Sequence, residues 1–348
     1  MSKFLCVGHA TVLSLLVAAT ACSNPTEAPA GRFNAERLDA GVSAVNRVAS
    51  SALVSSLAAI GQSAGATAGA AAGRIPDAVS RIATTTIGAG SAMLPLMRPG
   101  VLGKTFVYVP AAGRYEVDPA RSGAPSNGVR FILYETDIEG RPIVDRPIGY
   151  ADLTDERRSA PSGVGLLLTV VTNGVTRLSY TLDVSGPLGA LVFDVRGYVS
   201  NGADRLDFVA SASPQVFGTG PATLDATLTI SGMPFSVTTH AAGIPGAPRG
   251  DGTVNLTVAS ATDRVQIVST TRSDSVDASV TVNGQLVATA TGKAEAPVVR
   301  GKDGRELTAD ELTALGALVE LSGKIFSIIS DLLRPVGALL VIALGLGA

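Results

Sequence analysis

The chain has no tryptophan, two cysteines and two histidines in 348 residues, and aromatic residues make up only 4% of it. Each shortage removes a class of function. Stacked aromatic platforms, which hold sugar rings, have few side chains to be built from. Cys6 lies inside the N-terminal apolar segment and Cys22 at its end. Residues 23–348 therefore contain no thiol and form no disulfide, so the fold rests on burial. His9 precedes Cys22, which leaves His240 as the only imidazole after it. Histidine-rich and thiolate zinc sites are excluded on that count. Charged residues are 16% of the chain and the formal net charge is −2. With no basic patch to neutralise phosphates, no nucleic-acid partner is expected. The chain also lacks a G-x-x-x-x-G-K-[ST] loop, an H-E-x-x-H pair, a G-x-S-x-G elbow and a dinucleotide fingerprint after a strand. No cofactor is expected, no metal site, no catalytic residue and no enzyme activity.

What is present begins at the N-terminus. "MSKFLCVGHATVLSLLVAATACS" has one cation, Lys3, then a mostly apolar stretch through Ala21. That is the layout of a secretory signal peptide over 1–21, too short and alanine-rich for a spanning helix. Ala19, Thr20 and Ala21, all small, stand directly before Cys22. The segment resembles the lipobox of bacterial lipoproteins, with Ala19 where leucine is commonest. The resemblance implies that Cys22 becomes the acylated N-terminus and that the chain meets a membrane through that lipid. Ser23 after it implies export to the outer membrane. Several acyl chains on one residue are enough for stable anchoring.

Residues 22–33 then read as a lipidated end and a proline-bearing spacer. Leu38, Val42, Val45, Ala49, Leu53, Leu57 and Ile60 recur at intervals of three and four, which predicts an amphipathic helix over 34–60. Residues 61–73, "GQSAGATAGAAAG", follow with Gly61, Gly65, Gly69 and Gly73. This spacing resembles the glycine-zipper segments of small outer-membrane lipoproteins. The stretch has no Leu, Ile, Val, Phe or Met to hold it in lipid, and each interior helical glycine costs about 1 kcal/mol against alanine. It reads as the start of a Gly/Ala-rich linker and loop over 61–100.

From Lys104 to about Val299 the period becomes two. Leu178, Tyr180, Leu182 and Val184 alternate with Arg177, Ser179, Thr181 and Asp183; Leu224, Ala226, Leu228 and Ile230 alternate with Asp225, Thr227 and Thr229. Such segments are half-buried antiparallel strands. Asn-Gly pairs at 127–128, 173–174, 201–202 and 283–284 mark tight turns. Residues 101–300 are thus expected to form an antiparallel β domain of roughly a dozen strands. In 301–348 the helical period returns. Thr308 and Glu311 make a capping-box pattern, Leu312, Leu315, Leu318 and Val319 begin an apolar face, Pro335 ends or kinks the helix, and residues 336–348 are apolar throughout. The expected fold is mainly β with flanking helices (α+β): a long, strongly curved antiparallel meander packed on N- and C-terminal helices. In overall plan this resembles half-barrel lipid-carrier lipoproteins, which enclose acyl chains under helices.

Two clusters test for chemistry. Glu135, Asp137, Glu139, Asp145, Asp152, Asp155 and Glu156 offer hard oxygen ligands around Gly140, but Ile148 stands where a calcium loop starting at Asp137 needs glutamate. Arg141, Arg146, Arg157 and Arg158 point to a solvated, ion-paired loop instead. Paired carboxylates for glycoside chemistry would have only Tyr134 and Tyr150 as a sugar platform. His240, read as lying at a strand end, has no serine elbow to work with. Asn255-Leu256-Thr257 matches a glycosylation acceptor, irrelevant in a bacterial envelope. A transmembrane barrel would need aromatic girdles that the composition does not supply. The expected role is a non-catalytic envelope lipoprotein, structural or interacting with proteins. The alternative is a carrier that binds a lipid or other apolar ligand on the apolar face of the sheet.

Overall fold

The computed structural model describes residues 35–57, 59, 97, 99–156, 164–186, 192–213, 222–243, 251–294, 296–309, 311–313 and 315–316. The signal segment, Cys22, the spacer, the glycine stretch 61–73 and the C-terminal run beyond 316 lie outside the described residues.

The protein is mainly β with helices toward its termini, and its fifteen strands form one sheet that does not close. The strands are β1 (Lys104–Val109), β2 (Arg114–Asp118), β3 (Gly128–Thr136), β4 (Pro142–Asp155), β5 (Val164–Thr172), β6 (Val175–Ser185), β7 (Val192–Ser200), β8 (Arg205–Ser213), β9 (Ala222–Ile230), β10 (Ser236–Gly243), β11 (Gly252–Ala259), β12 (Arg264–Arg272), β13 (Ser275–Val282), β14 (Gln285–Lys293) and β15 (Ala296–Gly301). From β3 to β15 each strand neighbours the next in sequence. The first three depart from the expected meander. β1 lies between β2 and β3, antiparallel to β2 and parallel to β3. The sheet is therefore mixed, and it has more strands than the rough dozen. The open edges are blunted: β2 is five residues long with an Arg114–Glu116 ion pair, and β15 carries Pro297 and Arg300.

The helical segment expected over 34–60 is broken. Helix α1 (Ala35–Ala49) ends at Ser50–Ser51, and helix resumes over 52–57. At the break the Ser51 amide donates to the Val48 carbonyl at 3.2 Å and the Ser55 amide to the Ser51 carbonyl at 3.1 Å. The buried stripe of α1 is also rotated from the expected one. Gly41, Ala44, Val45 and Val48 face inward, at helical spacing, while Val42 and Ala49 are half-exposed. Small residues define this face because they permit close approach.

By contacts the described chain divides into two compact units, residues 35–46 with 210–316, and residues 47–209. In the second, register builds continuous apolar rows. Phe131, Ala151, Val170, Leu178 and Val199 stand opposite one another across β3–β7, and Val129, Leu153, Leu168 and Tyr180 form the next row. All are at most 2% exposed. At one end, Phe106 stacks on Phe131 with centroids 4.9 Å apart, and the Tyr115 hydroxyl donates to the Ile132 carbonyl at 3.0 Å. Arg47, in the last turn of α1, grips Asp204 through Nε and Nη2 at 2.8 and 3.0 Å. Asn201 shapes that turn by accepting the Ala203 and Asp204 amides. The Arg47 hydrogen bonds hold the Asp204 carboxyl below the usual carboxylate range.

In the other unit the rows continue with smaller residues. Leu228, Val237, Val258, Val265 and Val282 are aligned across β9–β13 and nearly inaccessible. Gly41 of α1 sits against the Phe235 ring, so close that a Cβ there would fall 2.2 Å from a ring carbon. The C-terminal helix starts as the sequence predicts. The Thr308 amide donates to Glu311 Oε2 at 2.9 Å and the Glu311 amide to Thr308 Oγ1 at 3.3 Å. Arg305 adds two bonds to Glu311 at 2.8 and 2.6 Å. Those bonds pull the Glu311 carboxyl down to about 2; desolvation opposes them, and Thr308 adds to them.

Two outcomes are expected. Gly41→Leu should lower the urea midpoint by the equivalent of about 1–3 kcal/mol from overpacking against Phe235, although leucine is the better helix former by roughly 1 kcal/mol. An unchanged midpoint would show that α1 is not seated on that ring. For Glu311 the folded-state value lies below the unfolded one, so its contribution is present above the ordinary carboxylate value and fades as pH falls toward about 2. The stability gap between wild type and Glu311→Gln should accordingly be level at neutral pH and close in acid. A gap that widens in acid would contradict the capping geometry.

Candidate functional site

The outward face of β9–β13 collects the polar groups that sequence spacing leaves scattered. Register sets Asp225, His240, Asn255, Val268 and Ser279 in one row, and Thr227, Thr238, Thr257, Gln266 and Thr281 in the next. His240 is not at a strand end. It lies in the interior of β10, and its Nδ1 is 2.6 Å from Asp225 Oδ1. On the other side of the row Gln266 Nε2 donates to Asn255 Oδ1 at 3.2 Å. The sequence pattern assigned Asp225 to the outer face but did not pair it with His240, because the pairing follows from strand register.

The arrangement has the parts of an acid–base pair without the setting. His240 and Asp225 side chains are 51% and 60% exposed. An imidazole in open water has no desolvated, preorganised surroundings in which to stabilise a developing charge. It makes a cross-strand polar contact of the kind that contributes some tenths of a kcal/mol to a sheet.

The acidic segment sits on a projecting hairpin. β4 pairs with β5 only from Gly149 onward, so Pro142–Ile148 pairs with β3 alone. At the tip, Asp137 Oδ1 accepts the amides of Glu139 and Arg141, and Oδ2 accepts Arg141 Nε, each at 2.9 Å. Led by the Arg141 amide, these bonds hold the Asp137 carboxyl below its ordinary value. Glu139 is paired with Arg141 and Glu135 with Arg146. Glu135, Asp137 and Glu139 are thus held in ion pairs with arginine, and among the described residues no group of three His, Cys, Asp or Glu is placed to hold a metal. Asp152 is gripped by Arg130 through two bonds of 2.7 Å. The Arg130 guanidinium also covers the Tyr150 ring at 3.7 Å, and Tyr134 is 4% exposed. Neither tyrosine offers a face to a sugar.

The inward face is the remaining candidate. A cavity for an acyl chain, emptied of ligand, leaves its lining open to water. Leu133, Leu153, Leu166, Leu168, Leu178 and Leu206 are each at most 1% accessible, and so are Leu228, Val237 and Val258. A fully buried polar group interrupts this face. Thr239, 1% exposed, lies between Ala226 and Leu256, and its hydroxyl has no hydrogen-bond partner. No helix among the described residues is long and apolar enough to cross a membrane.

An orphaned buried hydroxyl costs about 1–3 kcal/mol. Thr239→Val, of the same shape, should therefore raise the urea midpoint. A loss of stability would show that the hydroxyl has a partner inside the protein. Comparison with protein-family models, curated proteins and solved structures finds no match to this chain.

Proposed function

We propose that this chain is a non-catalytic lipoprotein of the bacterial cell envelope, anchored to the outer membrane through acylated Cys22, with a structural or protein-interaction role. The observation that carries the reading is the water-inaccessible inward face: its large side chains are already covered within the monomer. The self-filled interior favours a scaffold over a carrier, and the exposed His240–Asp225 pair gives no sheltered centre for catalysis. The lipobox-like residues Ala19–Cys22 support the anchor. The second reading, a carrier of a lipid or other apolar ligand, draws on the Thr239 hydroxyl, a polar group left unsatisfied on the apolar face.

One variant tests both. Cys22→Ser, expressed with its signal segment, should move from the membrane to the soluble periplasmic fraction. Retention in the membrane would overturn anchoring through Cys22. Native mass spectrometry of the soluble variant should then show the bare mass of the chain. A stoichiometric lipid released on denaturation would replace the scaffold reading with the carrier.

A further inference from the structure

We propose that Asn173 is a site of spontaneous covalent modification, where the Asn173–Gly174 turn converts to aspartate or isoaspartate ahead of the other three Asn-Gly pairs of the chain. The chemistry is that of any exposed Asn-Gly pair. Hydroxide removes the Gly174 amide proton, and the nitrogen attacks Cγ of Asn173. The bond from Cγ to the side-chain nitrogen breaks and ammonia leaves. Water then opens the cyclic imide at one of its two carbonyls, giving aspartate or, with one atom added to the backbone, isoaspartate. No oxidant or other reactant is needed. Glycine permits the attack because it has no side chain to obstruct its own nitrogen.

Sequence makes the four pairs equivalent, and the fold does not. At Asn127–Gly128, the Gly128 amide donates to the Pro125 carbonyl and Asn127 Nδ2 to the Asp155 carbonyl. At Asn201–Gly202, Asn201 Oδ1 accepts two backbone amides, and the nucleophilic Gly202 amide is held by Ser200 Oγ at 3.0 Å. Asn283–Gly284 is the matched control. Its φ values of 50° and 80° nearly equal the 51° and 74° of Asn173–Gly174, and both are two-residue hairpin turns, closed by Val282↔Gln285 and Thr172↔Val175. Yet Asn283 Oδ1 accepts the Arg264 amide at 2.8 Å, Nδ2 donates to Asp263 Oδ1 at 3.3 Å, and the Asn283 amide donates to the Arg264 carbonyl. Its Cγ cannot swing toward Gly284 without breaking contacts to the neighbouring turn. Asn173 is exposed, its side chain makes no hydrogen bond among the described residues, and a Cβ on Gly174 would meet nothing within 4 Å. Hairpin ends also open at low local cost, which the attack geometry requires.

The test is peptide mapping by mass spectrometry of the folded full chain during incubation at mildly alkaline pH, with isoaspartate scored by methyltransferase labelling. Asn173 should convert at least about tenfold faster than Asn283, the ratio that about 1.4 kcal/mol of added constraint produces. The same chain in concentrated urea should convert all four sites at similar rates, since the dipeptide is the same. Equal rates at Asn173 and Asn283 in the folded protein would overturn the proposal. So would an unconverted Asn173, or a ranking that survives in urea.

Discussion

Strand register is the constraint on which the rest depends. A period-two pattern sorts side chains to two faces, but a one-residue slip between any two strands would send one strand's apolar set into water. The rows that carry the core keep one register: Phe131 through Val199 across β3–β7 and Leu228 through Val282 across β9–β13 run unbroken. The turns keep that register. Two-residue Asn-Gly connections at 173–174 and 283–284 fix which residues pair at the hairpin ends, Thr172 with Val175 and Val282 with Gln285. Register shifts at Val170/Val171 and Val280/Thr281 lie beside these turns, and those at Leu133/Tyr134 and Tyr134/Thr136 lie toward the end of the β3–β4 hairpin.

With few aromatics, this core depends on close approach rather than bulk. Val, Leu and Ala fill the rows, and α1 meets Phe235 with a glycine. The aromatic side chains that exist are concentrated where β1 crosses the meander, around Phe106, Tyr115 and Phe131. There β1 forms a parallel pair with β3, and large rings supply the contact. Burial there pushes the Tyr115 hydroxyl well above the usual phenol range. These phenols are structural groups.

The polar residues divide by what surrounds them. Asp137, Asp152, Asp204 and Glu311 are each tied to an arginine, and the first and last also organise backbone amides. Such pairs fix a hairpin tip, a turn, a helix end and, between Arg130 and Asp152, two neighbouring strands. His240 and Asp225 face water. Within each unit, rows of buried apolar side chains on one face of the sheet are backed by mostly polar residues on the other.

Much of this was legible in the chain itself. Alternation of Leu178, Tyr180 and Leu182 against their polar neighbours determined which face each strand buries, because the pleat enforces that period. Thr308 and Glu311 determined a helix start, because their reach to each other's amides is local. The scarcity of histidine and thiol determined which metal centres could not exist. Other features were decided only by tertiary structure. The β1 insertion beside β3 was one, since nothing in either strand's pattern names its neighbour. The buried stripe of α1 was another, since Gly41 contributes by an absence of side chain that no hydrophobic count registers. The His240–Asp225 contact and the difference between Asn173 and Asn283 belong with them. Local sequence controls what a residue is and which way it faces; which side chains stand across from it depends on register between strands far apart in the chain.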